Sequence, residues 1–334
     1  MKKEVVLVTG GSGFIGSHLC EKLVEMELET VNLDNFCDNY DPMIKEQNIA
    51  GLLDNPHYHL YRGDIRDNRV LDKIFTTHPI KDIIHLAALA GVRPSLANPR
   101  DYVSVDIEGT VNLLEYAAKY QIKRFLFASS SSVYGDNPVP FKESDRVDKP
   151  LSQYAAAKIG GEVFCRTYHR LYGFSVGCLR FFTVYGPRQR PEMAIYQFTE
   201  RIEQGLEVPL FGIGNSERDY TYVDDLVKGI LAAMEIPYSF EIFNLGNSRT
   251  VVLSELINLI GNVVGKEPRI TMMPVQKGDV PRTWADLSHS KQILAYRPLV
   301  DIVEGIERFV SWYRSQTLSK QHFKMNDPNI GTSA

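Results

Sequence analysis

The stretch Val5-Val6-Leu7-Val8-Thr9-Gly10-Gly11-Ser12-Gly13-Phe14-Ile15-Gly16 decides how this chain is read. Residues 5–8 are apolar and mostly β-branched, with no alternation, which predicts a strand buried on both faces. The apolar period that resumes at Phe14 predicts a helix over about 14–26. Between the two, Gly10, Gly13 and Gly16 fall at G-x-x-G-x-x-G spacing. Glycines there let backbone amides, Phe14 and Ile15 among them, and the positive end of the helix dipole approach a pyrophosphate closely. A glycine loop alone is also an ordinary turn; the strand before it and the helix after it give it weight.

Working outward, a second strand over 30–33 ends at Asp34, where a carboxylate can grip a ribose diol. Asn35 and Phe36 follow, with no arginine for a 2′-phosphate, so the expected cofactor is NAD rather than NADP. Asp64 and Ile65, after a third strand over 57–61, stand where an adenine amine could be met. Further strands over 82–86, 124–128 and 175–180 alternate with helices, the longest over about 101–119 and 153–171. That rhythm predicts an α/β, Rossmann-type doubly wound parallel sheet.

After about Tyr185 the rhythm changes, and Gly186-Pro187-Arg188-Gln189-Arg190-Pro191 opens a region of longer loops. The expected division is an NAD-binding domain over 1–185, with 224–246 returning to it. A smaller α/β substrate domain takes 186–223 and 247–314. The last periodic helix is expected over 302–313, and 315–334 reads as a flexible tail.

Composition narrows the class. The 334 residues carry 37 Lys+Arg against 41 Asp+Glu, a net charge of −4 with no basic tract, which disfavours nucleic acid as a partner. No apolar run approaches the roughly 20 residues of a membrane helix. The start is too short in apolar residues for a signal peptide and leads straight into the glycine loop. Cys20, Cys37, Cys165 and Cys178 are scattered, as free thiols in a reducing compartment would be. His57 and His59 alternate on a strand with no third ligand in view, so a solvent face is expected there and no metal site. The reading is a cytoplasmic protein.

Two clusters carry chemistry. Ser129-Ser130-Ser131-Ser132 ends the fifth strand, on the side of a doubly wound sheet where ligands bind. Tyr154-Ala155-Ala156-Ala157-Lys158 opens a helix, and i to i+4 spacing puts phenol and ammonium on one face. A neighbouring ammonium favours phenolate and brings a tyrosine from about 10 toward neutrality, as an acid/base for a sugar hydroxyl requires. Either cluster alone is commonplace. Their order with the glycine loop and Asp34 is not.

With these motifs, His85-Leu86-Ala87-Ala88 and Arg218-Asp219-Tyr220-Thr221-Tyr222-Val223-Asp224-Asp225, the chain resembles the extended short-chain dehydrogenase/reductases of the NAD-dependent nucleotide-sugar epimerase/dehydratase group, from Val5 to about Tyr313. The resemblance implies that NAD stays bound, with Leu86, Ala87 and Ala88 beside it. It implies further that Ser130 hydrogen-bonds the reacting oxygen, that Tyr154 is the base, and that Lys158 holds the nicotinamide ribose and tunes the tyrosine. Ser131-Ser132 stands where sugar dehydratases carry Asp-Glu, which argues against water elimination. Thr183, followed by Arg188-Gln189-Arg190-Pro191, resembles the UDP-glucuronate 4-epimerases, as do Ala90-Gly91-Val92-Arg93 and Gly278-Asp279-Val280-Pro281. The implied substrate is UDP-glucuronate or UDP-galacturonate, met by Ser130, Ser131, Ser132, Tyr154, Thr183, Arg190, Arg218 and Arg282, with Phe211 against the uracil. A homodimer through the two long helices is also implied. Epimerisation of neutral or N-acetylated UDP-hexoses, decarboxylation to a UDP-pentose, and a non-catalytic NAD-binding regulator remain as alternatives. One departure is Asp106, where the wider family often has Asn.

Overall fold

The computed structural model describes residues 4–274 and 280–325, with side chains to residue 316. Gly278 and Asp279 of the last sequence match, and residues 326–334 of the expected tail, lie outside the described residues. The strands are β1 (Val5–Thr9), β2 (Glu29–Asp34), β3 (Tyr58–Arg62), β4 (Ile80–His85), β5 (Arg124–Ser130) and β6 (Ser175–Phe181), then β7 (Thr183–Tyr185), β8 (Glu207–Phe211), β9 (Glu217–Tyr222), β10 (Phe240–Leu245), β11 (Thr250–Val252) and β12 (Arg269–Met273).

Seven of them form a sheet in the order β10-β6-β5-β4-β1-β2-β3, every pairing parallel. All five residues of β1 are buried. Because strand side chains alternate, Val6 and Val8 enter the core on one face and Val5 and Leu7 the core on the other. A strand with both faces covered is filled mainly by apolar side chains, hence the apolar run from Val5 to Val8. Chain order reverses between β1 and β4, which puts a crevice beyond their carboxyl ends. After leaving the sheet at β6 the chain comes back to it as β10 at the edge. Smaller sheets, β11-β9-β7 and β12-β8, build the rest.

Two elements differ from the sequence expectation. The helix expected over 101–119 is Pro99–Tyr102 and Gly109–Lys119 joined by a wider π turn, Val103–Glu108. The extra residue in that turn carries Asp106 into the interior, where Leu89 N–H donates to its Oδ1 at 2.7 Å. Apolar periodicity does not reveal a one-residue insertion inside a helix. The last helix runs Ile302–Met325, past Tyr313 and through half of the segment expected to be loose. The residues after Tyr313 are polar but include no proline or glycine before Met325, so the apolar period ends while nothing stops the backbone.

Under the serine cluster lies a buried ion pair. Arg180 donates to both carboxylate oxygens of Glu162, at 2.9 and 2.7 Å, and Ser129 Oγ donates to the same carboxylate at 2.5 Å. The Arg180 guanidinium also stacks 4.7 Å from the Tyr134 ring centre. Glu162→Ala leaves that guanidinium charged and unpaired in the core. Urea unfolding is expected to show a loss of about 3–5 kcal/mol, and a loss below about 1 kcal/mol would mean the pair is solvated as a surface pair is.

Candidate active site

A cleft of about 630 Å³ opens over the carboxyl ends of β1, β2, β4 and β5. Its floor is the glycine loop. Gly10 has φ +73°, and a Cβ there would lie 2.8 Å from Ala87 N; one on Gly16 would run into the Gly10 carbonyl oxygen. The helix that follows, Phe14–Glu25, has Gly13 at its N-cap and no side chain capping it, so its first amides are left to a ligand.

Alternate residues of β2 hold the loop. Asn32 Oδ1 accepts from Gly11 N–H at 2.9 Å, and Asp34 Oδ2 accepts from Ser12 N–H at 3.0 Å. Asp34 Oδ1 takes Phe36 N–H at 2.9 Å and lies 3.8 Å from the Lys45 ammonium, both side chains buried. Asp64 is clasped by Arg66, whose guanidinium holds that carboxyl down at about 2, and also accepts from Asn35 Nδ2 at 3.0 Å.

On the β4 side, His85 is a neutral strut. Its ring nitrogens meet Thr9 Oγ1 at 2.8 Å and Thr110 Oγ1 at 2.9 Å, and burial pushes its pKa down to about 3. On the β5 side, Ser130 Oγ accepts from Ser132 N–H at 3.1 Å, which leaves its own proton free to donate. Ser152 caps the helix Gln153–Tyr172 by accepting from Ala155 N–H, which fixes Tyr154 and Lys158 in its first two turns. The Lys158 ammonium sits 5.9 Å from the Tyr154 ring centre and 5.1 Å from that of Phe127. Tyr102 meets the Tyr154 ring edge-on, centroids 6.2 Å apart.

The cleft brings together Gly10, Gly13, Phe14, Ile15, Gly16, Asp34, Asn35, Asp64, Ile65 and Leu86, Ala87 and Ala88 with Ser130, Ser131, Ser132, Tyr154, Lys158, Thr183 and Arg190. It does not include Phe211, Arg218 or Arg282. Phe211 carries the Arg93 guanidinium 5.0 Å from its ring centre. Arg218 donates to the Glu217 and Pro281 carbonyls. Arg282 pairs with Glu217 at 2.9 Å and stacks on Trp284. His57 and His59, expected on a solvent face, both bond the Glu29 carboxylate, at 2.9 and 3.0 Å, and hold it down at about 2. Among the described residues no group of His, Cys, Asp and Glu gathers to hold a metal ion, and no helix is long and apolar enough to cross a membrane.

Sequence reasoning missed Asn32 and Lys45. Asn32 had a signal: it lies two residues before Asp34 and so on the same face of β2. Lys45 had a weaker one, in Asp41-Pro42, where Asp41 caps and Pro42 begins the short helix Pro42–Ile49 that presents it.

The residues present fit NAD. A glycine cradle with no room for a Cβ, an uncapped helix N-terminus and a buried carboxylate two residues past Asn32 match a pyrophosphate and a ribose diol. Residues 6–246 match the model of the NAD dependent epimerase/dehydratase family. The chain is 40% identical over 307 residues to a UDP-glucuronate 4-epimerase of Thermodesulfobacterium geofontis, covering 92% of this chain and 95% of that one. It is similar, with a TM-score of 0.88 and 33% identity, to the crystal structure of UDP-glucuronic acid 4-epimerase from Bacillus cereus in complex with UDP-glucuronic acid and NAD, covering 93% of this chain and 99% of that one. The UDP-glucose 4-epimerase of Thermotoga maritima with UDP-glucose is similar too, with a TM-score of 0.86, 35% identity, and 94% and 99% of the two chains covered.

Because a methyl on residue 16 collides with backbone rather than with a movable side chain, Gly16→Ala is expected to purify without the NAD absorbance of the parent protein. Full NAD content in that variant would refute the cradle.

Proposed function

This chain belongs to the NAD dependent epimerase/dehydratase family, and from that premise we propose that it interconverts UDP-glucuronate and UDP-galacturonate at C4 of the sugar. The observation that carries the reading is the group of hydroxyls that lines the cleft with the Tyr-Lys pair. Ser131, Ser132, Thr183 and Arg190 line the cleft together with Tyr154 and Lys158, and positions 131–132 hold hydroxyls with no carboxylate to drive elimination.

Gly10, Gly13, Gly16, Phe14, Ile15, Asp34, Asn35, Asp64, Ile65, Leu86, Ala87, Ala88 and Lys158 are assigned to NAD. When bound, NAD supplies a reversible oxidation at C4 of the sugar. Tyr154 takes the proton of the 4-hydroxyl and gives it back to the C4 oxygen once the ketosugar has turned its other face to the cofactor. Ser130, its lone pair already engaged by Ser132 N–H, donates to the reacting oxygen. The Lys158 ammonium stabilises the phenolate form that this proton transfer needs.

A 4-ketouronate is a β-keto acid and loses CO2 when its C5–carboxylate bond aligns with the carbonyl π system. The chain must hold the carboxylate out of that alignment. Hydroxyls of Ser131, Ser132 and Thr183 can do so through hydrogen bonds to a charged acceptor, about 1.5–3 kcal/mol each. Arg190, which lies 3.2 Å from Glu192, is the cation at that end of the cleft. Arg218 and Arg282 are assigned to the diphosphate and Phe211 to the uracil on the family pattern alone.

A homodimer is part of the reading. Val103, Val163, Phe164, Leu171 and Tyr172 leave apolar surface exposed along the two long helices, which a second copy would cover. A single species of monomer mass in sedimentation at micromolar protein would exclude it.

The purified protein, given UDP-glucuronate and no added NAD, is expected to form UDP-galacturonate, followed by proton NMR. Tyr154→Phe should lower kcat by about 10²–10⁴-fold. Ser132→Ala and Thr183→Ala should weaken uronate binding and divert part of the flux to a UDP-pentose. Turnover of UDP-glucose in place of the uronate would replace the acid with a neutral hexose, and variants that bind the uronate normally and release no CO2 would remove the carboxylate assignment.

A further inference from the structure

The geometry points to Asp106 as the positioning residue that holds the Lys158 ammonium and meters how strongly it acts on the Tyr154 phenol. The inference rests on Tyr154 as the base. Asp106 is fully enclosed, and the π turn Val103–Glu108 aims it across at the helix of Tyr154. Its two oxygens have different surroundings. Oδ1 accepts Leu89 N–H at 2.7 Å and so fixes the loop after β4, which lines the cleft. Oδ2 is buried with no hydrogen-bond partner and lies 4.0 Å from the Lys158 ammonium, itself buried. A buried carboxylate oxygen facing one buried cation is an electrostatic device, since a group serving only to tie the loop would be equally satisfied as an amide.

The surrounding charges leave this pair in control. Tyr102, from the same helix, stays protonated, its phenol pushed up by burial and by Asp106. His85, from β4, is neutral. Glu162, one turn past Lys158, is committed to Arg180 and Ser129. Arg190, from the loop after β7, pulls the Tyr102 phenol down without reversing that rise. Burial lifts the Asp106 carboxyl to about 6 against the pull of Lys158, so at neutral pH its charge is present. A negative charge there cancels part of the ammonium's field at the phenol and holds Tyr154 protonated to higher pH than Lys158 alone would. The sign follows: removing the charge must lower the pH at which Tyr154 ionises.

The test is Asp106→Asn, which keeps an oxygen for Leu89 N–H and removes the charge. Tyr154 is titrated by tyrosinate ultraviolet absorbance as the difference between each protein and its Tyr154→Phe counterpart, beside the pH profile of kcat and the NAD content. Burial raises the pKa of Tyr40, Tyr58, Tyr134, Tyr185 and Tyr238, which keeps them out of the window. In Asp106→Asn the Tyr154 titration and the acid limb of kcat are expected to move down together by about one pH unit, a tenfold change, with NAD retained. A fall in kcat with both titrations unmoved would overturn the inference and leave Asp106 as a loop tether. Should Asp106→Asn not fold, Asp106→Ser removes the same charge and is read in the same way. If the parent protein epimerises nothing, the reading of its function fails, while the Tyr154 titrations still decide the electrostatic claim.

Discussion

Close backbone contact at the turn after β1 is the constraint on which the rest of the site depends. Gly10 N–H donates to the Leu33 carbonyl at 2.8 Å, its Cα faces Ala87, and Gly16 packs on its carbonyl. Three strands therefore end at one point: β1 supplies the loop, β2 the carboxylate of Asp34, and β4 the segment from Leu86 to Ala88. Any side chain at residue 10 or 16 would push these ends apart. The helix dipole that favours an anion there would then have nothing to face.

Polar groups buried around that point act as braces more than as reagents. Asn32 ties the glycine loop to Tyr58, and His85 spans from Thr9 to Thr110. Glu162, Arg180 and Ser129 lock the strand that carries Ser130 to the helix that carries Tyr154. Asp219 collects the amides of Asn247, Ser248 and Ala285 and so fixes the loop after β10 against β9. Each such group costs desolvation unless its partners are complete. A network of this kind adds little net stability, but it restricts the backbone to one arrangement, as a site holding a sugar between two faces requires.

What was legible in the sequence was whatever depends on local pattern. Strand β1 and its loop could be read because burial on both faces and the absence of Cβ atoms leave direct traces in composition. Tyr154 and Lys158 could be read because helical spacing fixes their shared face. The π turn could not, since one inserted residue leaves the apolar period nearly intact while turning Asp106 inward. Neither could the Glu162–Arg180 pair, whose partners are 18 residues apart on different elements. Phe211 and Arg282 show the opposite limit: their residue types suit stacking and phosphate, while their contacts with Arg93, Glu217 and Trp284 are set only by the fold. The contact of His57 and His59 with Glu29 is not legible either, since Glu29 comes from a neighbouring strand; both imidazoles are partly exposed.

The electrostatics of the cleft set a condition that the residue types satisfy. A nucleotide sugar and a dinucleotide both bring diphosphates, and a uronate adds a further negative charge. Yet Asp34, Asp64 and Asp106 all stand in or against this cleft. Each has its charge answered on the spot: Asp34 by two amides and Lys45, Asp64 by Arg66 and Asn35, Asp106 by Leu89 N–H and Lys158. The acids thus project little negative field toward incoming anions, since paired charges a few ångströms apart cancel at longer range. Within the cleft, attraction is left to amide dipoles at the helix N-terminus, to the hydroxyls of Ser130, Ser131, Ser132 and Thr183, and to the guanidinium of Arg190. Those donors fix an anion's position without holding it by bulk charge. A ketouronate has to turn over between two hydrogen-bonded orientations while its C5–carboxylate bond stays out of alignment with the ketone, and short directional donors suit that demand better than a concentrated positive field would.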